Sequence, residues 1–141
     1  MNILLTGGAG YIGSHTALAF IEAGHRVSVA DNLANSSAES IRRVERLTGQ
    51  SIDLHRLELL DLVSLDNLFA QSSFDAVVHF AGLKAVGESV AQPLLYYQNN
   101  IGSTLNLIEV MERHKVNHLV FSSSATVYGE PQRIPIDENC Q

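Results

Sequence analysis

Four closely spaced glycines lie near the start of the chain, in the run TGGAGYIG at residues 6–13. An apolar, strand-like segment precedes this run, and a helix-like segment follows it. Glycines in such a turn permit positive φ, close approach of the backbone to a pyrophosphate, and tight packing of the helix. The free amides at the helix start would then face the anion. The run predicts a dinucleotide-binding turn, and a tight turn without any ligand is the alternative that the glycines alone leave open.

A carboxylate, Asp31, ends the second strand-like segment, 18 residues after Gly13. This offset is close to the roughly 20 residues at which an acidic side chain reaches the adenosine ribose hydroxyls of a dinucleotide. A helix cap or a turn aspartate is the alternative. The negative charge of Asp31 would repel the 2′-phosphate of NADP, and no obvious arginine lies nearby to offset that charge. Strand, glycine turn, helix, strand and terminal acid together predict NAD as the cofactor.

The elements that must position these residues alternate along the chain in the order βαβαβαβαβ. Strands are predicted where apolar runs are rich in β-branched residues, at 2–5, 26–30, 51–58, 76–80 and 118–122. Helices are predicted between them at 11–23, 38–48, 63–71 and 93–114. This alternation predicts a doubly wound parallel α/β sheet, whose ligand crevice lies at the carboxyl ends of the strands. The crevice is therefore expected along residues 6–13, 31–36, 80–88 and 122–129.

Length and charge limit the class of protein. With 141 residues, 45% of them hydrophobic, the chain suits one globular domain. The net charge of -6 and the lack of a basic run longer than Arg42-Arg43 argue against nucleic acid and anionic membranes as partners. No apolar stretch approaches the roughly 20 residues of a membrane span, and no basic signal region precedes the first strand. The single Cys140 has no disulfide partner. We expect a cytoplasmic location.

Five segments, spread over nearly the whole chain in one consistent order, resemble the extended short-chain dehydrogenase/reductase family. They are TGGAGYIGSHT from Thr6, DNLANS from Asp31, HFAGLKAVGESV from His79, YYQNN from Tyr96 and FSSSATVYGEP from Phe121. Taken jointly they are most similar to the NAD-dependent branch that epimerises the C4 carbon of the hexose in UDP-glucose and UDP-galactose. The resemblance implies a Rossmann-type fold, NAD as cofactor and these two sugar nucleotides as substrates.

The resemblance also implies which residues bind the cofactor. They are Gly7, Gly10, Tyr11, Ile12 and Gly13 at the pyrophosphate, Asp31, Asn32, Asn35 and Ser36 around the adenosine ribose and phosphate, and Phe80, Ala81, Gly82, Lys84, Asn99, Ser122 and Ser124 along the remaining wall. Lys84 and Ser124 are further expected to contact the substrate. The Ser124 hydroxyl can both donate and accept, which suits a sugar 4-oxygen that alternates between alcohol and ketone. Taken singly, Lys84 and Glu88 would be solvated charges, and the serines would be strand-end caps.

The adenine contact departs from the family pattern. An aspartate followed by an aliphatic residue usually stands there, after the third strand. The preferred register of this sequence puts Glu58 and Leu59 at that place, and Asp61 with Leu62 is the alternative register. Glutamate keeps the carboxylate acceptor on a longer stem, so we expect the contact to be preserved.

Dehydration is the alternative reaction, since sugar-nucleotide 4,6-dehydratases share this fold and cofactor. Their corresponding segment usually carries acidic residues, whereas Ser124, Ala125 and Thr126 stand here. Elimination needs a general acid and base at the departing hydroxyl, so these residues favour epimerisation. The resemblance implies transient oxidation of the sugar at C4, followed by return of the hydride to its other face.

The tyrosine and lysine that this family uses for proton transfer are absent. A lysine four residues after the tyrosine would lie one helical turn away and lower the pKa of the phenol. The residues four after the chain's four tyrosines are His15, Asn100, Ile101 and Gln132. We therefore expect residues 1–141 to form an incomplete NAD-binding domain of a longer, homodimeric enzyme, inactive alone and without its substrate domain. A complete, non-catalytic NAD-binding module is the alternative.

Two further expectations concern a metal site and the fifth strand. His114 and His118 are four residues apart, but they lie on either side of a predicted helix end and strand start, so no metal site is expected. The fifth strand should present an apolar edge that a further strand would pair.

Overall fold

One parallel sheet forms the centre of the computed structural model, which describes residues 1–131 and 133–140, apart from the side chain of residue 125. Its strand order within these residues is β3-β2-β1-β4-β5. The strands are β1 (Asn2–Thr6), β2 (Arg26–Asp31), β3 (Asp53–Arg56), β4 (Ala76–His79) and β5 (Leu119–Phe121). The chain winds outward from β1 to β3 and then crosses back to β4. This reversal confirms the predicted doubly wound α/β sheet, and such sheets bind ligands where the winding reverses, here between β1 and β4.

Helices cover both faces of the sheet. They are α1 (Tyr11–Glu22), α2 (Ala38–Thr48), α3 (Leu62–Gln71), α4 (Val86–Ala91) and α5 (Pro93–Arg113), and a 3₁₀ helix follows at Ala125–Tyr128. The strands supply alternate residues to two cores, so Leu4 packs towards α3 and α5 while Leu5 packs towards α1 and α2. Because both faces are buried, the interiors of β1 (Ile3 to Leu5) and β4 (Val77 and Val78) are apolar, as the sequence pattern predicted.

Two features of the prediction are wrong. β3 is half as long as predicted: it begins late, because the amide of Ile52 donates to the Glu45 carboxylate (2.9 Å) instead of joining the sheet, and it ends at Arg56. The strict alternation also fails, since the short helix α4 precedes α5 between β4 and β5. This helix buries none of its residues, so no apolar periodicity marks it in the sequence. Every other predicted strand and helix is confirmed to within one residue at each end.

Strand β5 lies at an edge of the sheet. Its side chains Val120 and Phe121 are 62% and 53% exposed, which confirms the expected apolar edge. The opposite edge is β3. In the part of the chain that the structure describes, no helix is long and apolar enough to cross a membrane.

Candidate functional site

The glycine turn between β1 and α1 is tightly packed at three of its four glycines, and a Cβ on one of them, Gly8, would lie 2.9 Å from the side chains of Leu5 and Val29. Gly7 has a φ of 68°, and a Cβ there would lie 2.6 Å from the backbone nitrogen of Ala81. A Cβ on Gly13 would lie 2.6 Å from the Cα of Gly8. Real Cβ atoms do not approach backbone so closely. The fold itself therefore requires Gly7 and Gly13, whether or not a ligand binds.

Gly10 differs from these glycines, because a Cβ there would meet only the Gly7 carbonyl oxygen, at 3.3 Å. Gly10 caps α1 in an extended conformation, with no side-chain hydrogen bond and no acidic residue in the first turn. The amides of the first turn have no intrahelical acceptors. Tyr11 and Ile12 in that turn are 82% and 59% exposed. The space above Gly10 is thus open to a ligand, and a pyrophosphate fits it by charge and by hydrogen bonding.

The carboxylate of Asp31 joins the glycine turn to the loop after β2. One oxygen accepts from the amide of Ala9 (3.0 Å), and the other accepts from the Leu33 amide and the Ser36 hydroxyl (2.8 Å each). The residue is 7% exposed. A carboxylate offers about four acceptor positions, so these three bonds leave one for a ribose hydroxyl. The turn-aspartate alternative and the predicted ribose contact are therefore compatible, and the bond to Ala9 is a contact that the sequence did not indicate.

Two residues assigned to the adenosine side meet where β2 and β3 end. The Asn32 amide donates to the Glu58 carboxylate at 2.8 Å. Asp61, from the alternative register, instead caps α3 by accepting from the Ser64 amide (3.1 Å), and its bonds with Ser64 lower its pKa. Glu58 thus lies beside Asn32, which favours the preferred register, while the Leu59 side chain is buried in the core. Asn35 is exposed in the preceding loop.

The loop after β4 is held by a residue that the sequence analysis missed. Asn100 on α5 accepts from the amide of Leu83 (2.8 Å) and donates to the carbonyl of Leu83 (3.0 Å). The amide group of Asn99 donates to the Asn100 side-chain oxygen at 3.0 Å. Lys84 follows with an exposed side chain. The Asn100 side chain thus pairs with both backbone groups of Leu83, as a residue on a neighbouring strand would. The sequence analysis assigned only its neighbour Asn99 to the site.

A buried histidine lies beneath the same loop. His79 is 1% exposed, its Nδ1 is 2.6 Å from the Thr6 hydroxyl, and its Nε2 is 3.0 Å from the Thr104 hydroxyl. Burial, together with the nearby positive charge of Lys84, lowers its pKa to about 4. His79 is therefore neutral at pH 7, and it connects β1 with α5 under the crevice.

Serines follow β5 at the same sheet edge. The Ser122 amide donates to the His79 carbonyl (3.1 Å), which continues the pairing of β4 with β5. Ser124 is exposed, and its hydroxyl caps the 3₁₀ helix through the amide (3.3 Å) and hydroxyl (2.8 Å) of Thr126. The capping role that the sequence left open is thus present. Because Ser124 is exposed, its hydroxyl is accessible to a ligand.

A tyrosine on α5, Tyr96, forms hydrogen bonds with residues 85 and 88, which follow the loop after β4. The Tyr96 hydroxyl donates to the Glu88 carboxylate (2.6 Å) and accepts from the Ala85 amide (3.2 Å). The hydrogen bond to Glu88 raises the pKa of Tyr96. Glu88 is therefore a bonded side chain rather than a freely solvated charge.

Comparison with known proteins connects this geometry to a family. The NAD dependent epimerase/dehydratase family matches residues 3–141. The chain belongs to this family.

Relatives in the family are longer than this chain. The UDP-glucose 4-epimerase of Schizosaccharomyces pombe is 56% identical over 98% of this chain and 40% of its own length. That of Bacillus subtilis is 54% identical over 99% of this chain and 41% of its own length. The crystal structure of the Bifidobacterium longum UDP-glucose 4-epimerase in complex with NAD⁺ and UDP superposes with a TM-score of 0.95 and 46% identity, covering 100% of this chain and 42% of that one. The chain thus spans about two fifths of its relatives' length.

The family site predicted from the sequence lies along the carboxyl edge of the sheet. The structure brings the glycine turn, Asp31 and the loop of residues 80–84 to the reversal between β1 and β4, with Asn32 and Glu58 on one side. Ser122 and Ser124 lie on the other side, after β5. In the described ranges, no group of three or more His, Cys, Asp or Glu side chains could hold a metal ion. His114 instead bonds with Asp66 on α3 (3.0 Å).

Proposed function

We propose that this chain is the NAD-binding part of a UDP-glucose/UDP-galactose 4-epimerase. The observation that carries the proposal is the open space at Gly10, above the amides of α1 and beside the acid Asp31. The names of the relatives support the activity, and the NAD⁺ and UDP in the Bifidobacterium longum structure support the cofactor and the substrate class. Residues 1–141 would then form an incomplete Rossmann domain, with the substrate domain outside them.

The residues of this chain would hold NAD at three places. The amides that follow Gly10 bind the pyrophosphate, with Tyr11 and Ile12 along its sides. The unused acceptor position of Asp31 binds a ribose hydroxyl, and its negative charge disfavours NADP. When bound, NAD supplies the acceptor for the C4 hydride of the sugar and returns that hydride. The loop of residues 80–84 lines the cofactor beyond the pyrophosphate.

Two polar side chains of this chain would bind the substrate. The exposed Ser124 hydroxyl can release Thr126 and hydrogen-bond the sugar 4-oxygen as a donor or an acceptor. The exposed Lys84 ammonium would lie beside it. Neither Ala125 nor Thr126 provides the carboxylate that removal of water would need, which supports epimerisation over dehydration.

Turnover requires a proton acceptor that these 141 residues do not contain in the family form. No tyrosine in the sequence has a lysine four positions later. We therefore propose that this chain alone has negligible epimerase activity, and measurable conversion of UDP-galactose by the purified chain would overturn that. The same observation favours a second candidate, a non-catalytic NAD-binding module. A reading frame that continues past the codon for Gln141 into a Tyr-x-x-x-Lys motif would support the enzyme over the module.

Helix α5 supports the proposed homodimer of the longer enzyme. Apolar side chains that are 45% to 67% exposed recur along it at spacings of three and four residues, namely Leu94, Tyr97, Ile101, Leu105 and Ile108. Such a stripe on a long helix is typical of a surface that packs against another helix.

The single cysteine, which leaves no intrachain disulfide to form, favours the cytoplasmic location that completes the proposal.

A valine at Gly10 tests the cofactor site. Gly10→Val should leave the chain folded, because only one atom lies near the new Cβ, but it should weaken NAD binding at least about 100-fold by filling the space for the pyrophosphate. Isothermal titration calorimetry with NAD measures the affinity, and circular dichroism checks the fold. The matched control is Ala91→Val at the end of α4, which adds the same branched side chain at an exposed position outside the predicted crevice. Unchanged affinity in folded Gly10→Val, or no NAD binding by the wild type, would refute the proposed site.

A further inference from the structure

A chain of hydrogen bonds runs under the crevice from β1 to Asn100 on α5. It begins at Thr6, the residue before the glycine turn, and passes through His79 and Thr104 to the backbone carbonyl of Asn100, the residue whose side chain holds Leu83. Thr6 and His79 are 0% and 1% exposed. None of the assigned cofactor or substrate contacts uses His79, Thr104 or Asn100.

The protons of this chain of bonds have one consistent arrangement. The Thr104 hydroxyl has a single proton, and its short contact to the backbone carbonyl of Asn100 (2.7 Å) requires that proton, because a carbonyl only accepts. The Thr104 oxygen therefore accepts from Nε2–H of His79 at 3.0 Å. Nδ1 then carries no proton and accepts from the Thr6 hydroxyl at 2.6 Å. A neutral His79 in this one tautomer gives both ring nitrogens and both threonine hydroxyls a hydrogen-bond partner.

Both ends of the loop are thereby tied to the same set of residues. The amide of Phe80 donates to the Thr6 carbonyl (2.9 Å) at the start of the loop. Asn100 pairs with both backbone groups of Leu83 at its end. Between them, a Cβ on Gly82 would lie 3.3 Å from the Asn100 side-chain oxygen, so the loop lies close against that side chain. A shift of Asn100 must move the loop.

We propose that Asn100, held in place by Thr104 and His79, is a positioning residue that sets the loop of residues 80–83 against the cofactor. The inference rests on the proposed function in one respect, that NAD lies along this loop. The bonds that carry it join protein groups only. Loop order and NAD affinity are therefore separate measurements, and they can fail separately.

Hydrogen exchange of the ligand-free chain, read by mass spectrometry on peptides covering residues 80–85, tests the loop. Thr104→Val removes one hydroxyl and should speed exchange at Leu83 about threefold, and Asn100→Ala, which removes its acceptor, about tenfold. Thr104→Ser keeps the hydroxyl and should restore the wild-type rate. The matched control is Asn2→Ala, because the Asn2 amide group also donates to a backbone carbonyl, that of Ser73 (2.6 Å), at the amino ends of the strands, away from the crevice.

NAD affinity of the same variants, measured by calorimetry, tests the positioning role. Thr104→Val should weaken NAD binding about threefold to tenfold and Thr104→Ser should restore it, while Asn2→Ala leaves it unchanged. Wild-type exchange in Thr104→Val and Asn100→Ala would overturn the inference, as would faster exchange with wild-type NAD affinity. If the wild type binds no NAD, the proposed function fails, and the exchange rates still decide whether Asn100 orders the loop.

Discussion

Acidification should destabilise this protein through His79. Burial disfavours the imidazolium and the charge of Lys84 repels it, so the folded-state pKa is about 4, against 6.5 for an ordinary histidine. Between these values the unfolded chain binds a proton that the folded chain does not. The stabilisation is therefore complete above pH 6.5 and is lost as the pH falls towards 4. From pH 7.5 to 4.5 this one residue should lower the free energy of unfolding by about 2 to 3 kcal/mol.

A difference measurement isolates the histidine from the carboxylates that titrate in the same range. Urea unfolding at pH 7.5 and 4.5 gives the loss for the wild type and for His79→Gln, whose amide keeps a donor towards Thr104 but does not titrate. The contributions of residues such as Asp66 occur in both proteins and cancel. The wild type should lose about 2 to 3 kcal/mol more than the variant. His79→Asn, which keeps an acceptor towards Thr6, is the second variant if the first does not fold. Equal losses would refute a neutral, buried His79.

Two more predictions concern Asp31 and helix α5. Asp31→Ala should lower the preference for NAD over NADP at least about tenfold in calorimetry and lower the free energy of unfolding by about 2 to 4 kcal/mol, because three donors lose their acceptor. An unaltered nucleotide preference would rule out the ribose contact. An unaltered free energy of unfolding would rule out a stabilising role for the hydrogen bonds by which Asp31 joins the glycine turn to the loop after β2. In the longer parent protein, Ile101→Glu should convert the homodimer to a monomer in sedimentation, while Leu47→Glu, equally an exposed apolar residue but on α2, should not. A dimer that survives Ile101→Glu contradicts the proposed interface.

The local pattern of apolar and turn residues was sufficient to predict most of the secondary structure. The strands buried on both faces are continuous apolar runs, and the long helices have turn residues at their ends, so their positions were predictable to within one residue. Prediction failed for β3 and α4. β3 is an edge strand with both its end residues exposed, and α4 buries nothing, so neither has the apolar pattern on which such predictions depend.

The candidate site was predictable only in part. The spacing of the glycines and of Asp31 indicated the dinucleotide turn, because residues close in sequence make that turn. It did not separate the glycines that the fold requires from Gly10, which leaves space for a ligand, since that depends on how closely Ala81 approaches the turn. Nor did it show that Asp31 accepts from the glycine turn as well as from its own loop.

By itself, the sequence determined which chemical groups stand at the carboxyl edge of the sheet, because strand ends and turns are properties of short segments. Only the tertiary structure decided how these groups are held. The bonds from Thr6 to His79, from His79 to Thr104 and from Asn100 to Leu83 join residues 73, 25 and 17 positions apart. Contacts over such separations exist only after the strands have paired and α5 has packed on them, so no local pattern contains them.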